Sequence, residues 1–595
     1  MNFDDFRKLN LKFQPLSKPG FLSKGDTENL LAFMGGPDGS LETNLNERIP
    51  AGFTYLGQFI THDMITAERT ETKFPTLRLR ALYGNGPDEE EFYVHEESDI
   101  PYWVNLRKSN FKGDTLSVFK NVLFRMRYAE PNVSDMQRAS IRTDKYDPVI
   151  AEKRNDRNYI LSQLHCVFMQ FHNAVAVWLH EHDQNLTGKN LLEATQRLVI
   201  WHYQWIIVNQ FLPLLVGDTL VNQVMAGGFE FYDHTKSPVL MPEFSRAAFR
   251  IGHSQVREVY IFPKEEIPPV VNDQFKFPNL LRYTRRMRLF LNQNDEVIRK
   301  ATLQRIAESI SKDFNTYSMI EGVKITPQDA LNRLKLELEN NPGLSIADLD
   351  KFLEESLLPL IAESNDIESL KQRVHTKVQN KEANTNNALK AEGLVDMRGS
   401  VKRTQEDLFM EWAFFFDYQV KPYAARNYPP QASLAIDHLI APPLFHLFFL
   451  SSRNSLPERD LEASHGNSKD RLPKGSELFN ALNQVNALPA NTPVLDDVLV
   501  KQHIPNMPIK LDKAPLWLYI LLEAEILHKG QQLGPVGGRI IAEQILWVLM
   551  QDKQQSYLNL QPEWWPEAAF LHKNNKDPKN FGIVDLIEFS KSYLS

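Results

Sequence analysis

Two long runs of apolar residues at helical spacing constrain the fold of this 595-residue chain more than any other feature. They cover residues 161–183 and 191–215, and the second run ends near Pro213 and Gly217. Apolar residues that recur every three to four positions form one face of an amphipathic helix, whereas strands alternate. Alternating patterns and hairpin dipeptides are few, so the sequence predicts a mainly α protein.

Composition excludes several classes of protein. The formal net charge is −8, from 67 basic and 75 acidic residues, whereas a nucleic-acid surface carries a basic excess. The chain starts without a basic end and apolar run, and no apolar stretch reaches the roughly 18 residues of a membrane span. Cys166 is the only cysteine, so packing must hold the core without an internal disulfide. We expect a cytoplasmic protein with no nucleic-acid partner and no membrane span.

Three segments that lie far apart in the sequence carry polar residues suited to redox chemistry. Gln58 and His62 are four residues apart, so on a helix they project from one face. Arg154 lies on a second segment, and His253 ends a third, Phe249-Arg-Ile-Gly-His. Such a set can surround a haem, with one histidine on the iron and the other acting on bound peroxide.

The order and local sequence of these segments resemble the animal-type haem peroxidases of the peroxidase–cyclooxygenase superfamily, and in particular its bacterial members. The resemblance implies a haem-peroxidase-like helical domain built from residues 1–291 and 405–595. Residues 292–404 are charged and poor in aromatic side chains, and they are identified as an inserted helical subdomain. The insert could be a lid packed on the haem domain or an arm that binds a protein partner or a second copy.

On the proximal side of the haem, the resemblance implies that His253 ligates the iron and that Arg250 reaches a propionate. The family's asparagine acceptor for the proximal imidazole corresponds to Asp460, in Arg-Asp-Leu. A carboxylate there would pull the imidazole toward imidazolate. The alternative is a surface aspartate in a charged loop. Arg250 also stands where the fatty-acid dioxygenases carry a radical-forming tyrosine, which disfavours that chemistry.

On the distal side, the resemblance implies that His62 takes a proton from hydrogen peroxide and returns it to the departing oxygen, with Gln58 beside it. Arg154 would supply a fixed positive charge where the O–O bond breaks. Many relatives attach haem through two esters, at the positions of Thr61 and Arg157. Neither residue can form that ester, so we expect noncovalent haem b.

The resemblance also implies the loss of a calcium site. In the family, the aspartate after the distal histidine, here Asp63, binds calcium together with a loop that ends in Tyr-Gly. Bacterial relatives carry carboxylates five and three residues before that tyrosine, where this chain has Arg78 and Arg80 before Tyr83. Calcium sites gather carboxylate oxygens, so two arginines would repel the ion. We expect no calcium and an ion pair from Arg78 to Asp63, with Arg80 as the second choice; the alternative is that both arginines face solvent.

The function implied is a haem-dependent peroxidase that reduces hydrogen peroxide through an oxyferryl intermediate and oxidises a small organic donor. Two alternatives stay open. One is a haem-dependent oxygenase that acts on a lipid or secondary metabolite. The other is a non-catalytic haem-binding or interaction protein that uses residues 292–404.

Overall fold

The structure is a computed structural model, and the predicted insert, residues 292–404, lies outside the residues that it describes, as does Arg157. The described residues are 12, 22–35, 44–65, 75–84, 92–126, 149–156, 158–257, 259–261, 276–278, 412–418, 430–441, 444–445, 455–465, 472–488, 492–572 and 575–593.

The chain divides into two compact units. The first contains every residue of the candidate site described below. It comprises Met1–Phe275, Met397–Ala441 and Asp460–Ser595, and the second comprises Lys276–Asp396 and Pro442–Arg459. The predicted division at residues 292 and 404 remains a prediction.

Helices make up most of the regular structure in the described residues, which confirms the predicted mainly α fold. The α-helices are α1 (Lys24–Met34), α2 (Gly52–Met64), α3 (Arg80–Tyr83), α4 (Tyr102–Leu106), α5 (Thr115–Phe119), α6 (Tyr159–His182), α7 (Gly188–Ile206), α8 (Leu212–Val216), α9 (Asp218–Met225), α10 (Pro242–Arg246), α11 (Leu456–His465), α12 (Gly475–Gln484), α13 (Asp497–His503), α14 (Leu516–His528), α15 (Pro535–Gln551), α16 (Tyr557–Leu560) and α17 (Ile583–Ser592).

Strands and short helical turns complete the described structure. The strands are β1 (Leu45–Pro50), β2 (Val259–Ile261), β3 (Lys276–Pro278) and β4 (Ala432–Leu434). β1 pairs with β4 in antiparallel orientation, and Leu45 stands opposite Leu434. Two 3-10 turns carry site residues, Lys153–Asp156 and Ala248–His253. The other 3-10 turns are Glu97–Asp99, Lys108–Asn110, Trp412–Phe414, Leu511–Lys513, Ala568–Phe570 and Pro578–Asn580.

The second predicted helical run is one long helix with a change of pitch inside it. α7 passes through a π turn at Ile207–Phe211 into α8, and Gly217, with φ of 85°, ends the helix. Pro213 lacks a backbone N–H and follows directly on the π turn, where the regular α-helical hydrogen-bond pattern is already interrupted. Among the described residues, only Gly188–Val216 is long and apolar enough to cross a membrane, and 78% of its apolar window is buried within the protein. Core helices of this composition are common.

The core is centred on α14 and α15, which pack against each other. Every residue from 516 to 524 and from 536 to 549 is buried. A helix that is buried on all sides must be surrounded by other elements, and α9, α10 and α12 all pack on α15. The aromatic segment 412–418 contributes Trp412 to the same kind of buried environment.

The Gly-Pro-Val-Gly-Gly segment that begins at Gly534 opens α15, and a buried carboxyl group accepts hydrogen bonds at the start of that helix. Glu523 accepts hydrogen bonds from the backbone N–H of Val536 at 3.0 Å and of Gly537 at 3.2 Å. These groups have no partner within the helix, so a carboxylate there satisfies them. Burial nevertheless raises the pKa of Glu523 to about 8.

We expect Glu523→Gln to remove part of the loss of stability at alkaline pH. The folded-state pKa lies above the unfolded value, so only the unfolded chain loses this proton as pH rises from about 4.5 to about 8. Folding therefore weakens over that range, by on the order of 1 kcal/mol per pH unit, and glutamine cannot ionise. Urea unfolding at pH 5 and pH 8 measures the free energy of unfolding. Relative to the parent, the variant should be more stable at pH 8 than at pH 5. The control is Glu28→Gln, at an exposed position. If both variants lost the same free energy of unfolding between pH 5 and pH 8, the expectation would be wrong.

Candidate active site

Helix α2 is buried except along one narrow face. Gly57, Gln58, Thr61 and His62 keep partial exposure, while every other residue of the helix is buried. The four residues follow helical spacing, so they share one side of α2. The predicted pair Gln58 and His62 therefore projects into accessible space from an otherwise enclosed helix.

The imidazole of His62 is held by the amide of Asn155. Its Nδ1 lies 2.6 Å from Oδ1 of Asn155, which is fully buried. An amide oxygen only accepts hydrogen bonds, so Nδ1 carries the proton and donates it. Nε2 then carries the lone pair, which is the form of histidine that can take a proton from a substrate.

The guanidinium of Arg154 is fixed next to α2 by a carboxylate two residues earlier. Nε and Nη2 donate to the two carboxylate oxygens of Glu152 at 2.8 and 2.7 Å. Nη2 also donates to the carbonyls of Ile65, at 2.5 Å, and of His62, at 3.3 Å. Burial opposes ionisation of Glu152, but the hydrogen bonds and charge of Arg154 outweigh it and lower the pKa of that carboxyl. The predicted distal arginine is thus an ion pair rather than an isolated cation.

Two other predicted residues of this side are engaged locally. Gln58 accepts a hydrogen bond at 3.3 Å from Asn158, whose own Oδ1 caps α6 by accepting from the N–H of Leu161 at 2.8 Å. The hydroxyl of Thr61 donates to the carbonyl of Gly57 at 2.8 Å, so it is turned into its own helix. Gln58 is therefore tied to the first turn of α6.

The second histidine is also held through Nδ1, but by a carboxylate. Nδ1 of His253 lies 2.5 Å from Oδ2 of Asp460, which is fully buried on α11. A carboxylate accepts, so His253 donates from Nδ1 and its Nε2 carries the lone pair that an iron ligand needs. The structure thus brings together two residues that are 207 positions apart, in the pairing that the sequence predicts.

Arg250 lies on the same carboxylate. Its Nη1 donates to Oδ1 of Asp460 at 2.7 Å, and its Nε donates to the carbonyl of Ser245 at 3.1 Å. Two of its nitrogens are therefore engaged by the protein, where the resemblance implies a haem propionate. Asp460 consequently serves one cation and one imidazole at once.

The elements that carry the two histidines are in contact. α2 packs against the 3-10 turn Ala248–His253 and against the turn that carries Arg154. A Cβ at Gly252 would meet no atom within 4 Å, so open space adjoins His253. Two partly exposed histidines on neighbouring elements, each with its lone pair on Nε2, fit a haem bound through one of them.

Phe211, from the π turn, lies between these elements. A Cβ at Gly57 would come within 3.2 Å of its Cζ, which is tight contact. The ring of Phe211 also meets the ring of Phe249 edge-on, with 6.4 Å between centroids. Phe211 therefore contacts α2 on one side and the His253 turn on the other.

The predicted ion pair at the lost calcium site is wrong. Arg78 instead forms a bidentate pair with Asp552, with Nε and Nη2 at 2.7 and 2.6 Å from its two oxygens. The buried carboxylate of Asp63 accepts hydrogen bonds from the backbone N–H groups of Leu79 and Ala81, both at 3.1 Å. Arg80 also donates to Asp63 from its backbone N–H.

The physical reason is the shape of the turn before α3. Leu79 has φ of 54° and ψ of 40°, and a left-handed residue followed by right-handed ones turns successive N–H groups toward one point. Those N–H groups, together with the hydroxyl of Tyr203, provide hydrogen bonds to Asp63 without an arginine side chain. Burial still raises the pKa of Asp63 to about 7, although the backbone hydrogen bonds lower it.

Sequence reasoning did not identify two residues of the site, Glu152 and Asn155. Both lie within two positions of Arg154, in Glu-Lys-Arg-Asn. A carboxylate close to an arginine that must stay fixed was a signal that could have been used. Asn155 gives no such signal, because its role depends on how the 3-10 turn faces α2.

Comparisons with known proteins find relatives of part of the chain. The model of the animal haem peroxidase family matches residues 103–322, which contain Arg154 and His253 but not α2 and amount to less than half of the chain. A chorion peroxidase from Aedes aegypti is 33% identical over 127 residues, which are 20% of this chain and 16% of that protein. A peroxidase-like protein from Margaritifera margaritifera is 24% identical over 252 residues, 35% of this chain and 32% of that protein.

Among solved structures, peroxidase A from Dictyostelium discoideum is 12% identical, with 98% of this chain and 94% of that chain covered at a TM-score of 0.46. The matched segments span about a third or less of the length of the two curated relatives. Both relatives are animal proteins, so the expected similarity to bacterial members is not confirmed. The family that this chain resembles is the animal haem peroxidase family.

Proposed function

We propose that the chain is a haem-dependent peroxidase of this family, which reduces hydrogen peroxide and oxidises a small organic donor. The observation that carries the proposal is the matched pair of histidines. His62 and His253 both donate from Nδ1 to a buried acceptor, so both present a lone pair at Nε2. A ligand to iron and a base for peroxide each require that lone pair.

The two acceptors distinguish the roles of the histidines. Asp460 places a carboxylate on His253, which makes that imidazole electron-rich and suits it to ligate iron. Asn155 places a neutral amide on His62, which fixes the tautomer without adding charge and suits it to exchange protons. Bound haem b would supply the redox chemistry, and Arg154 would add positive charge beside His62.

Haem binding and a reaction with peroxide test the proposal. The purified protein, supplemented with haem, should bind it in one-to-one ratio and show a Soret band. Adding an equivalent of hydrogen peroxide should change that band within seconds, and an organic donor such as guaiacol should restore it. A protein that binds no haem, or a Soret band that peroxide leaves unchanged, would overturn the proposal.

We expect the haem to be noncovalent. The hydroxyl of Thr61 donates to the carbonyl of Gly57 and a hydroxyl cannot replace the ester-forming acid of many relatives. Acidified organic solvent should therefore extract unmodified haem b from the denatured protein, and the intact chain should have the mass of its sequence. A mass increment equal to haem on the polypeptide would contradict the expectation.

A further inference from the structure

The amide of Asn155 has a second buried partner beyond His62. Its Nδ2 lies 3.0 Å from Nδ1 of His165, a residue of α6 that is 2% exposed. An amide nitrogen only donates hydrogen bonds, so Nδ1 of His165 accepts and its proton resides on Nε2. The three side chains therefore form a continuous sequence of donors and acceptors from α2 through the 3-10 turn to α6.

His165 is suited to remain an acceptor. Burial lowers its pKa to about 4, although the negative charge of Glu152 opposes this. A neutral ring keeps a lone pair for the amide, whereas an imidazolium would offer none. With its nitrogen engaged by His165, Asn155 directs its oxygen at His62. A rotated amide would do the reverse and would place the proton of His62 on Nε2.

We infer that Asn155, backed by His165, is a positioning residue that sets the tautomer of His62 and keeps its Nε2 as the proton acceptor. The inference rests on the proposed function, in which Nε2 receives the proton of peroxide. It explains why a polar amide and a histidine are fully enclosed between α2 and α6, where apolar side chains would pack at lower cost. Neither residue has to touch the substrate.

The first test replaces the amide by a carboxylate of the same size, Asn155→Asp. An anion at the donor Nδ1 favours imidazolium, so the pKa of His62 should rise by about 1 unit or more. Carbethoxylation by diethyl pyrocarbonate, which modifies the neutral ring, is followed against pH by peptide mass spectrometry on the haem-supplemented protein. The midpoint for the peptide with His62 should move to higher pH by that amount. The other charged or titratable groups on the surrounding segments are unchanged in the variant: Asp63, Arg80, Glu152, Lys153, Arg154, Asp156, His165, Arg250 and His253.

A second pair of variants keeps the inference testable if the added carboxylate prevents folding. His165→Leu removes the acceptor for the amide and lets it rotate, so the reaction with peroxide should slow at least about threefold. His165→Asn retains an oxygen acceptor close to the position of Nδ1 and should restore most of the rate. Circular dichroism confirms that each variant is folded. Equal rates in all three proteins would overturn the inference.

The two readouts separate this inference from the proposed function. Labelling of His62 needs neither peroxide nor an organic donor. A shifted midpoint in a protein that does not react with peroxide would support the positioning role and refute the peroxidase. An unshifted midpoint in folded Asn155→Asp, in a protein that reacts normally, would overturn the positioning role and leave the peroxidase standing.

Discussion

Replacing His62 by alanine is expected to slow the reaction with hydrogen peroxide by a factor on the order of 10² or more, while haem remains bound. The variant removes the Nε2 lone pair that receives the proton of peroxide, and it leaves His253 and Asp460 in place. The ion pair of Arg154 with Glu152 also remains, so the charges next to this position are unchanged. Stopped-flow absorbance of the Soret band against peroxide concentration measures the rate constant.

The control for this variant is His182→Ala. His182 lies at the end of α6 and its Nδ1 contacts the carbonyl of Trp178, at an exposed position. Its removal should leave both haem binding and the rate unchanged. If the His62 variant reacts as fast as the parent, proton transfer by this residue is excluded from the mechanism.

Replacing Asp460 by alanine is expected to destabilise the protein by about 1–3 kcal/mol, the usual cost of leaving hydrogen-bonding groups without their buried partner. Asp460 is fully buried and accepts from both Arg250 and His253, so the variant leaves a cation and an imidazole N–H without their acceptor. Urea unfolding at pH 7 measures the loss. Under the proposed function, His253 would also lose its fixed orientation and haem should dissociate faster.

Asp460→Asn and Asp233→Ala are the matched variants. Asparagine keeps an oxygen for one partner and should lose less stability than alanine. Asp233 pairs with Lys236 at 2.8 Å near the surface, and exposed pairs contribute about 0–1 kcal/mol. If Asp460→Ala were no more destabilising than Asp233→Ala, the buried pair would not contribute to stability as described.

Much of the helical architecture follows from patterns that short windows of sequence contain. The apolar spacing of residues 161–183 and 191–215 predicts α6 and the long helix through α7, because that spacing has one structural solution. The π turn at Ile207–Phe211 has no such pattern, since it depends on how the helix packs. Register between distant segments, as in the pairing of β1 with β4, is likewise set by the assembled core.

The residues of the candidate site likewise divide into those that local sequence predicts and those that depend on the assembled fold. Gln58 and His62 share a face because helical geometry alone requires it, and the pairing of Asp460 with His253 was accessible through the resemblance. The predicted pairing of Arg78 with Asp63 is wrong because it considered only side-chain charges, whereas backbone N–H groups donate to Asp63. Leu79 adopts the left-handed conformation that turns N–H groups toward Asp63. That conformation is rare for leucine, so it could not be predicted from the sequence.

The π turn gives the long helix one residue that can be lost without reorienting its two ends. A π turn holds one residue more than the α turn it replaces, so both turns complete one revolution of the helix. Deleting one codon among positions 207–210 would leave a regular helix whose segments before and after the turn face their present neighbours. Phe211 ends the turn and contacts both Gly57 and Phe249. Replacing this aromatic ring by a small side chain removes the contact that joins the two histidine-bearing elements, so the identity of residue 211 should matter more than the length of the turn.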